Sequence, residues 1–394
     1  MASEENKEAA AHLAKARALA PFLAASASEI ETQRRLPPAL LDALFEAGLF
    51  RLLLPRSCGG AEIDLPGFAA IIEEIAKSEA STAWCLCQAS GCSMVAAYLD
   101  PEVAAAIFGR DQRAVLAWGP GPQSRARAVP GGYRVTGSWS FASGGRHASW
   151  LGGHCIIEEA DGSPRRAADG QPVWRTMLFP AERAAMEDVW QVIGLKGTGS
   201  DSFAVTDLFV PHEYSVSRDD PAERREAGPL YRFSANSYFS AGFAGVALGI
   251  ARSTLDAFLR LAGEKTPRGF RSRLAENAAT QMELGQAEAR LRAARFYLFV
   301  TLDEAWREVV RSDIAPLEQR MAIRLAATQA IQEAMAVVDF AYHAAGATAV
   351  FASNDFERRF RDMHTVAQQL QGRRSHFATV GQFLLGLAPD TAFL

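Results

Sequence analysis

The sequence predicts an α+β fold in which strands are segregated between two helical regions. Three observations carry this. Residues 4 to about 108 are rich in alanine and leucine at helical spacing; from Ala114 short β-branched and aromatic runs alternate with Gly, Pro and charged turns; and beyond about Gly228 long helical patterns return to the end. Alternating strand and helix, the mark of a doubly wound nucleotide fold, is absent from this order. We expect three segments, at 1–113, 114–228 and 229–394.

The N-terminal stretch is charged and alanine-rich, without the basic start and apolar core of a secretory signal, and reads as a helix. Leu36-Pro37-Pro38 marks the next helix start, followed by Leu40, Leu41, Leu44, Phe45 and Leu49 at helical spacing. Pro55 to Gly60 is a break. Leu65-Pro66-Gly67 opens another helix with Phe68, Ile71, Ile72 and Ile75 on one side. Ser81 to Leu99 is apolar with many small residues, which suits close packing in a core or beside a ligand. Asp100-Pro101-Glu102 begins a further helix, proline sitting where its missing donor costs little.

Strands are predicted at Val115–Trp118, Ala126–Val129, Tyr133–Phe141, Trp150–Ile157, Val173–Phe179 and Phe203–Val210. Within the third, Tyr133, Val135, Trp139 and Phe141 follow the period of two that places them on one face. Glu158 to Gly170 is an exposed loop by composition, and Ser217 to Gly228 a polar linker. Helices are then predicted at Phe239–Leu261, Leu274–Val309 and Leu317–Tyr342, with a last one between Asp355 and Leu387.

Of 394 residues, 41 are basic and 45 acidic, a net charge of -4 with no basic stripe, so a nucleic-acid partner is disfavoured. No run of about 18 apolar residues suggests a membrane span. The five cysteines, Cys58, Cys85, Cys87, Cys92 and Cys155, have neither CxxC spacing nor a matching histidine set, so no metal site is expected. They read as reduced thiols in a cytoplasmic protein. Gly194-Leu195-Lys196-Gly197-Thr198-Gly199 lacks the spacing of a dinucleotide fingerprint, and no Walker A motif occurs.

The stretch Gly131 to Trp150 combines a strand with a rim of small residues, Ser143-Gly144-Gly145, where a flat cofactor has room to approach the backbone. Here the chain resembles the acyl-CoA dehydrogenase fold superfamily and, within it, the flavin-dependent two-component monooxygenase branch. Four stretches carry the resemblance, in order: Gly137 to Gly145 with Trp150; Gly194 to Ser200 leading to Val210-Pro211; Arg268; and Phe356-Glu357-Arg358-Arg359-Phe360-Arg361-Asp362. It covers about residues 15 to 388. It implies an N-terminal helical domain, a middle β-domain and a C-terminal four-helix bundle, assembled as a homotetramer.

The resemblance further implies FAD or FMN, supplied already reduced by a separate NAD(P)H-dependent flavin reductase, with molecular oxygen and a small aromatic compound as co-substrates. Ser143 falls where a hydroxyl contacts flavin N5, Trp139 and Phe141 where they wall the ring or support its strand, and Trp118 at another flavin-facing edge. Arg268 would reach a flavin phosphate of a neighbouring subunit, and His376 a flavin or substrate edge. Trp84, Cys92 and Tyr238 would line a dry substrate wall.

Dehydrogenation of an acyl thioester needs a carboxylate base for the α-proton, and Tyr231 to Ala244, one place where relatives carry it, holds no Asp or Glu. Two histidines of the phenol hydroxylases in this branch are replaced by Cys92 and Gln369. Glutamine is no base near neutral pH, and cysteine is one only in a suitable electrostatic setting. His364 remains as a candidate catalytic group. These departures weaken an assignment to para-activated phenols and leave room for an electron-rich ring that needs no prior deprotonation, such as an indole, or for oxidation at nitrogen or sulfur. A noncanonical acyl-CoA oxidoreductase and an inactive flavin-binding assembly protein are the competing readings.

Overall fold

Proline and side-chain caps set the helix boundaries. The computed structural model describes residues 4–218, 220–391 and 394. Helix α1 (Glu4–Gln33) stops short of Pro37-Pro38, and α2 (Pro38–Glu46) begins on proline, whose locked φ suits a first helical turn. The Asp64 carboxylate accepts from Gly67 N at 2.7 Å to start α3 (Leu65–Ala76). Glu79 does the same for Ser81 and Thr82 at the head of α4 (Ala80–Ser93). Helix α5 (Pro101–Ala104) runs on as a wider π turn to Gly109.

The middle of the chain forms one sheet from β1 (Leu116–Gly119), β2 (Arg125–Val129), β3 (Gly132–Ala142), β4 (Trp150–Glu158), β5 (Trp174–Pro180), β6 (Ala185–Glu187), β7 (Asp201–Pro211) and β8 (Ser215–Val216). Its order is β6-β7-β3-β2-β4-β5-β8, and β1 lies parallel to β4, with Leu116–Gly119 beside Trp150–Gly153. Strands β6 and β8 were not expected: three and two residues are too few to show an alternation.

The C-terminal helices are α6 (Ala235–Glu264), α7 (Ala278–Ser312), α8 (Leu317–Ala345), α9 (Phe356–Gln368) and α10 (Ser375–Leu384). By length and composition α6 passes as a membrane-crossing helix, yet 78% of its most apolar window is buried inside the protein. At Gly249 its backbone comes so near α3 that a Cβ would lie 2.4 Å from the Glu73 carbonyl. The last predicted helix is in fact two. The chain breaks at Gln369, whose side chain accepts from Gln371 N at 2.7 Å and caps a tight turn instead of extending α9.

Two of the stretches quoted above meet here. Asp362 of α9 accepts from Leu195 N at 2.6 Å, and Arg361 binds the Ile193 carbonyl while pairing with Glu31 at 2.6 Å and Glu357 at 2.7 Å. Burial pushes the Asp362 carboxyl up to about 7. The folded protein therefore keeps a proton there that the unfolded chain releases near pH 4, so this contribution to stability is complete below pH 4 and lost as pH rises through 7. Asp362→Asn retains an acceptor for Leu195 N but cannot ionise. Calorimetric Tm of the wild type should fall by several degrees more than that of the variant between pH 5 and pH 8; parallel profiles would refute the assignment.

Candidate active site

Strand β3 slips in register against β7 between Val135 and Gly137 and again between Trp139 and Ala142. At the second slip, a β-bulge, Phe141 takes φ +59°, a conformation rare for a bulky residue and one that re-aims its side chain. Trp139 points inward, fully buried, its Nε1 donating to the His154 carbonyl at 3.0 Å and its ring stacked on Phe203. Phe141 points outward, 61% exposed, edge-on to Trp190. The expected alternation thus fails at Phe141 because the bulge inserts a residue. Trp139 supports the strand from inside the sheet core, and Phe141 offers the open aromatic surface.

Beyond the bulge, Ser143 is buried in a chain of hydroxyls. Trp84 Nε1 donates to Ser143 Oγ at 3.0 Å; Ser143 and Ser200 Oγ are 2.7 Å apart, as are Ser200 Oγ and Thr198 Oγ1; and Thr198 Oγ1 lies 2.8 Å from the Leu195 carbonyl. A carbonyl only accepts, so Thr198 gives its proton there. Ser200 must then donate to Thr198, and Ser143 to Ser200. Ser143 accepts from Trp84 and keeps one lone pair open: the network makes it an acceptor toward any further partner.

Trp84 also lies against Phe243 of α6, ring centroids 4.0 Å apart, and Phe243 stacks in turn on Phe239. Gln88, Gly91 and Cys92 continue the Trp84 face of α4 at helical spacing. Gln88 Nε2 donates toward Cys92 Sγ at 3.6 Å. Burial pushes that thiol up to about 12 despite the nearby Arg218 cation, so the electrostatic setting that would make Cys92 a base is missing. Trp118 packs between the Arg218 guanidinium, 4.4 Å above its ring, and the edge of His154, so its indole faces these two residues and α4. Tyr238 is buried, its hydroxyl accepting from Arg218 Nη1 at 2.9 Å.

The late candidates have structural partners. His364 bonds Asp339 of α8 at 2.8 Å and rests on Phe360, an interhelical contact that occupies the ring proposed for catalysis. Gln369 is spent on its cap. His376 donates to the Leu370 carbonyl at 2.7 Å, and burial and Arg324 lower its pKa, so it is a neutral tie between a turn and α10. Arg268 stands exposed in the turn after α6. Sequence reasoning overlooked Trp190, Phe239, Phe243 and Arg218. Ser200 and Thr198 were within a quoted motif but carried no assigned role, and nothing local separates Arg218 from the other arginines of its polar segment.

A helical N-terminal region, a single sheet and a long-helix bundle, with a bulged strand that turns Phe141 outward and leads to Ser143 against α4, define an acyl-CoA dehydrogenase-like protein. The chain belongs to the acyl-CoA dehydrogenase superfamily: the family models for its N-terminal and C-terminal domains match residues 4–108 and 241–372. It is similar to an indole-3-acetate monooxygenase of Pseudomonas putida, 28% identical over 93% of this chain and 91% of that protein. A flavin-dependent monooxygenase oxygenase subunit, HsaA of Rhodococcus jostii (strain RHA1), is 29% identical over 88% and 91%. Among solved structures, XiaF from Streptomyces sp. in complex with FADH2 and glycerol superposes with TM-score 0.91 at 25% identity, covering 100% of this chain and 99% of that one.

With its thiol buried and protonated, Cys92 should resist iodoacetamide at pH 8 in the native protein and react only after denaturation, as read by peptide mass spectrometry. Rapid native labelling would show an accessible thiolate. Trp84→Phe removes the donor to Ser143 while keeping the stack on Phe243, and should cost about 1 kcal/mol of stability in denaturant titration.

Proposed function

We propose that this chain is the oxygenase component of a two-component monooxygenase. Reduced flavin comes from a separate NAD(P)H-dependent reductase, and one atom of molecular oxygen passes to a small aromatic or heteroaromatic substrate. The observation that carries this reading is the direction of the hydroxyl chain. Reduced isoalloxazine bears a proton at N5 and is a donor there, whereas the oxidised ring offers only a lone pair; Ser143, with its own proton committed to Ser200, is complementary to the reduced form. The exposed ring of Phe141, held at a strained φ beside Trp190, supplies a surface for a flat ring, so the residues present fit the group.

Bound reduced flavin supplies the electrons and the oxygen chemistry. Ser143 holds the proton at N5, Trp84 fixes the Ser143 hydroxyl, and the Trp84–Phe243–Phe239 stack keeps water from the space beside it. Among the described residues no strong base is seen beside Ser143 or Cys92. Cys92 stays a thiol, and burial lowers His147 to about 4 and His154 to about 3, so both imidazoles are neutral. A substrate activated by its own π-density, such as an indole, suits such a wall. The Pseudomonas putida relative named for indole-3-acetate supports that class.

Of the two flavins we take FAD, the form in the XiaF complex. Arg268, exposed and without an ion pair among the described residues, is assigned to a phosphate of a flavin held by a neighbouring subunit of a homotetramer. Exposed Phe296, Val300 and Met282 on α7 supply apolar surface for that assembly. A cytoplasmic location goes with this reading.

Two measurements test it. Protein mixed anaerobically with reduced FAD and then with oxygenated buffer should return to oxidised flavin absorbance more slowly than free flavin does. Reoxidation at the free rate, with an acyl-CoA reducing bound oxidised flavin, would replace this reading with the dehydrogenase one. Thr198→Val removes the acceptor that orients Ser200, so the preference for reduced over oxidised FAD should shrink by about five- to tenfold, the worth of one hydrogen bond.

A further inference from the structure

Arg218 lies two residues beyond β8, half-buried, in a stretch that composition marks only as a linker. Its guanidinium carries five N–H donors, yet its contacts are the Tyr238 hydroxyl at 2.9 Å, the Gly91 carbonyl at 3.5 Å and the face of Trp118. Among the described residues no carboxylate lies within ion-pairing distance. Other half-buried arginines of this protein do hold one: Arg146 pairs with Asp201, Arg175 with Glu223, Arg252 with Glu288 and Arg361 with Glu31. Two described titratable groups that feel Arg218, the Cys92 thiol and the His154 imidazole, are both neutral. Holding a cation partly out of water with no counter-charge is costly.

From Trp84, which binds Ser143, to Cys92, beside Arg218, α4 advances eight residues, or about 12 Å at 1.5 Å each. The facing stretch of α6, five residues or about 7.5 Å long, is aromatic, with Phe243 on Trp84, then Phe239, then Tyr238 on Arg218. Gly91 belongs to this seam because a Cβ there would lie 2.4 Å from the Phe239 ring. An apolar, aromatic seam therefore begins at the hydroxyl assigned to flavin and ends at a cation that pairs with no carboxylate among the described residues.

We propose that Arg218 is the specificity-determining residue that receives the carboxylate of an arylalkanoate substrate whose ring lies toward Ser143. This deepens the oxygenase reading and rests on it. An arginine fork matches both oxygens of a carboxylate, and Trp118 beneath fixes the plane of the guanidinium by a cation–π contact. Neutral aromatics of the same shape forgo that pairing and leave the cation uncompensated, so the site selects for acid-bearing rings.

The test is anaerobic calorimetry on the full-length protein saturated with reduced FAD, using indole-3-acetate as the acidic probe and 3-methylindole as its neutral counterpart. The wild type should bind indole-3-acetate at least tenfold more tightly. Arg218→Gln should abolish that preference while changing the affinity for 3-methylindole less than twofold, and Arg218→Lys, which keeps the charge but not the fork, should restore part of it. Equal wild-type affinities, no binding of indole-3-acetate, or a preference that survives Arg218→Gln would each overturn the proposal. Should Arg218→Gln misfold, the wild-type comparison and Arg218→Lys decide alone. Flavin reoxidation needs no aromatic ligand and these titrations need no oxygen, so the oxygenase reading and the anion site fail separately.

Discussion

The candidate site depends on how one residue of a sheet loop, Leu195, is held. Its N–H is taken by the buried Asp362 carboxyl of α9, and its carbonyl receives the Thr198 hydroxyl, so a helix of the C-terminal bundle anchors the far end of the hydroxyl chain. Leu195 itself sits at φ +50°, a left-handed conformation that these two bonds help to maintain. With the end acceptor fixed, every proton back to Ser143 is fixed with it. The direction of one hydrogen bond at Ser143 is thus decided by a contact between the bundle and the sheet loop, through a buried network in which each member is satisfied.

Burial governs the rest of the chemistry. Desolvation leaves Cys92, His147 and His154 uncharged, although each is a group that elsewhere acts as a base or nucleophile. What is left at one end of the α4 face is a directed acceptor, and at the other a cation on an aromatic platform. Such a space is suited to positioning a ring and excluding water. It is poorly suited to taking a proton from carbon, and this favours the proposed oxygenase reading of the acyl-CoA dehydrogenase fold over dehydrogenation.

Much of the architecture was legible in the chain because it follows from local rules. Helical spacing, proline starts and Gly- or Pro-bounded strand runs are properties of a few neighbouring residues, and they placed six of the strands and the long helices to within a few positions. The motifs at Gly137 to Gly145, Gly194 to Ser200 and Phe356 to Asp362 likewise marked the segments that form and brace the site. The partners of single side chains are not local in this way. His364 has the chemistry of a catalytic group, yet its partner, Asp339, lies 25 positions away on another helix.

The sequence by itself determined the order of elements, the family, the small-residue stretch with Ser143, and the absence of a carboxylate base in Tyr231 to Ala244. Only the tertiary structure decided that Phe141 faces out while Trp139 faces in, because a bulge depends on pairing with β7 and reverses the parity that alternation predicts. Only it decided that Ser143 accepts, since that direction passes through Thr198 to the Leu195 carbonyl. And only it decided that Arg218, one arginine among several in a polar segment, stands over Trp118 and pairs with no carboxylate among the described residues. Spacing along a chain fixes which face a residue shares with its near neighbours; charge compensation and proton direction are set by groups that meet only when distant segments pack.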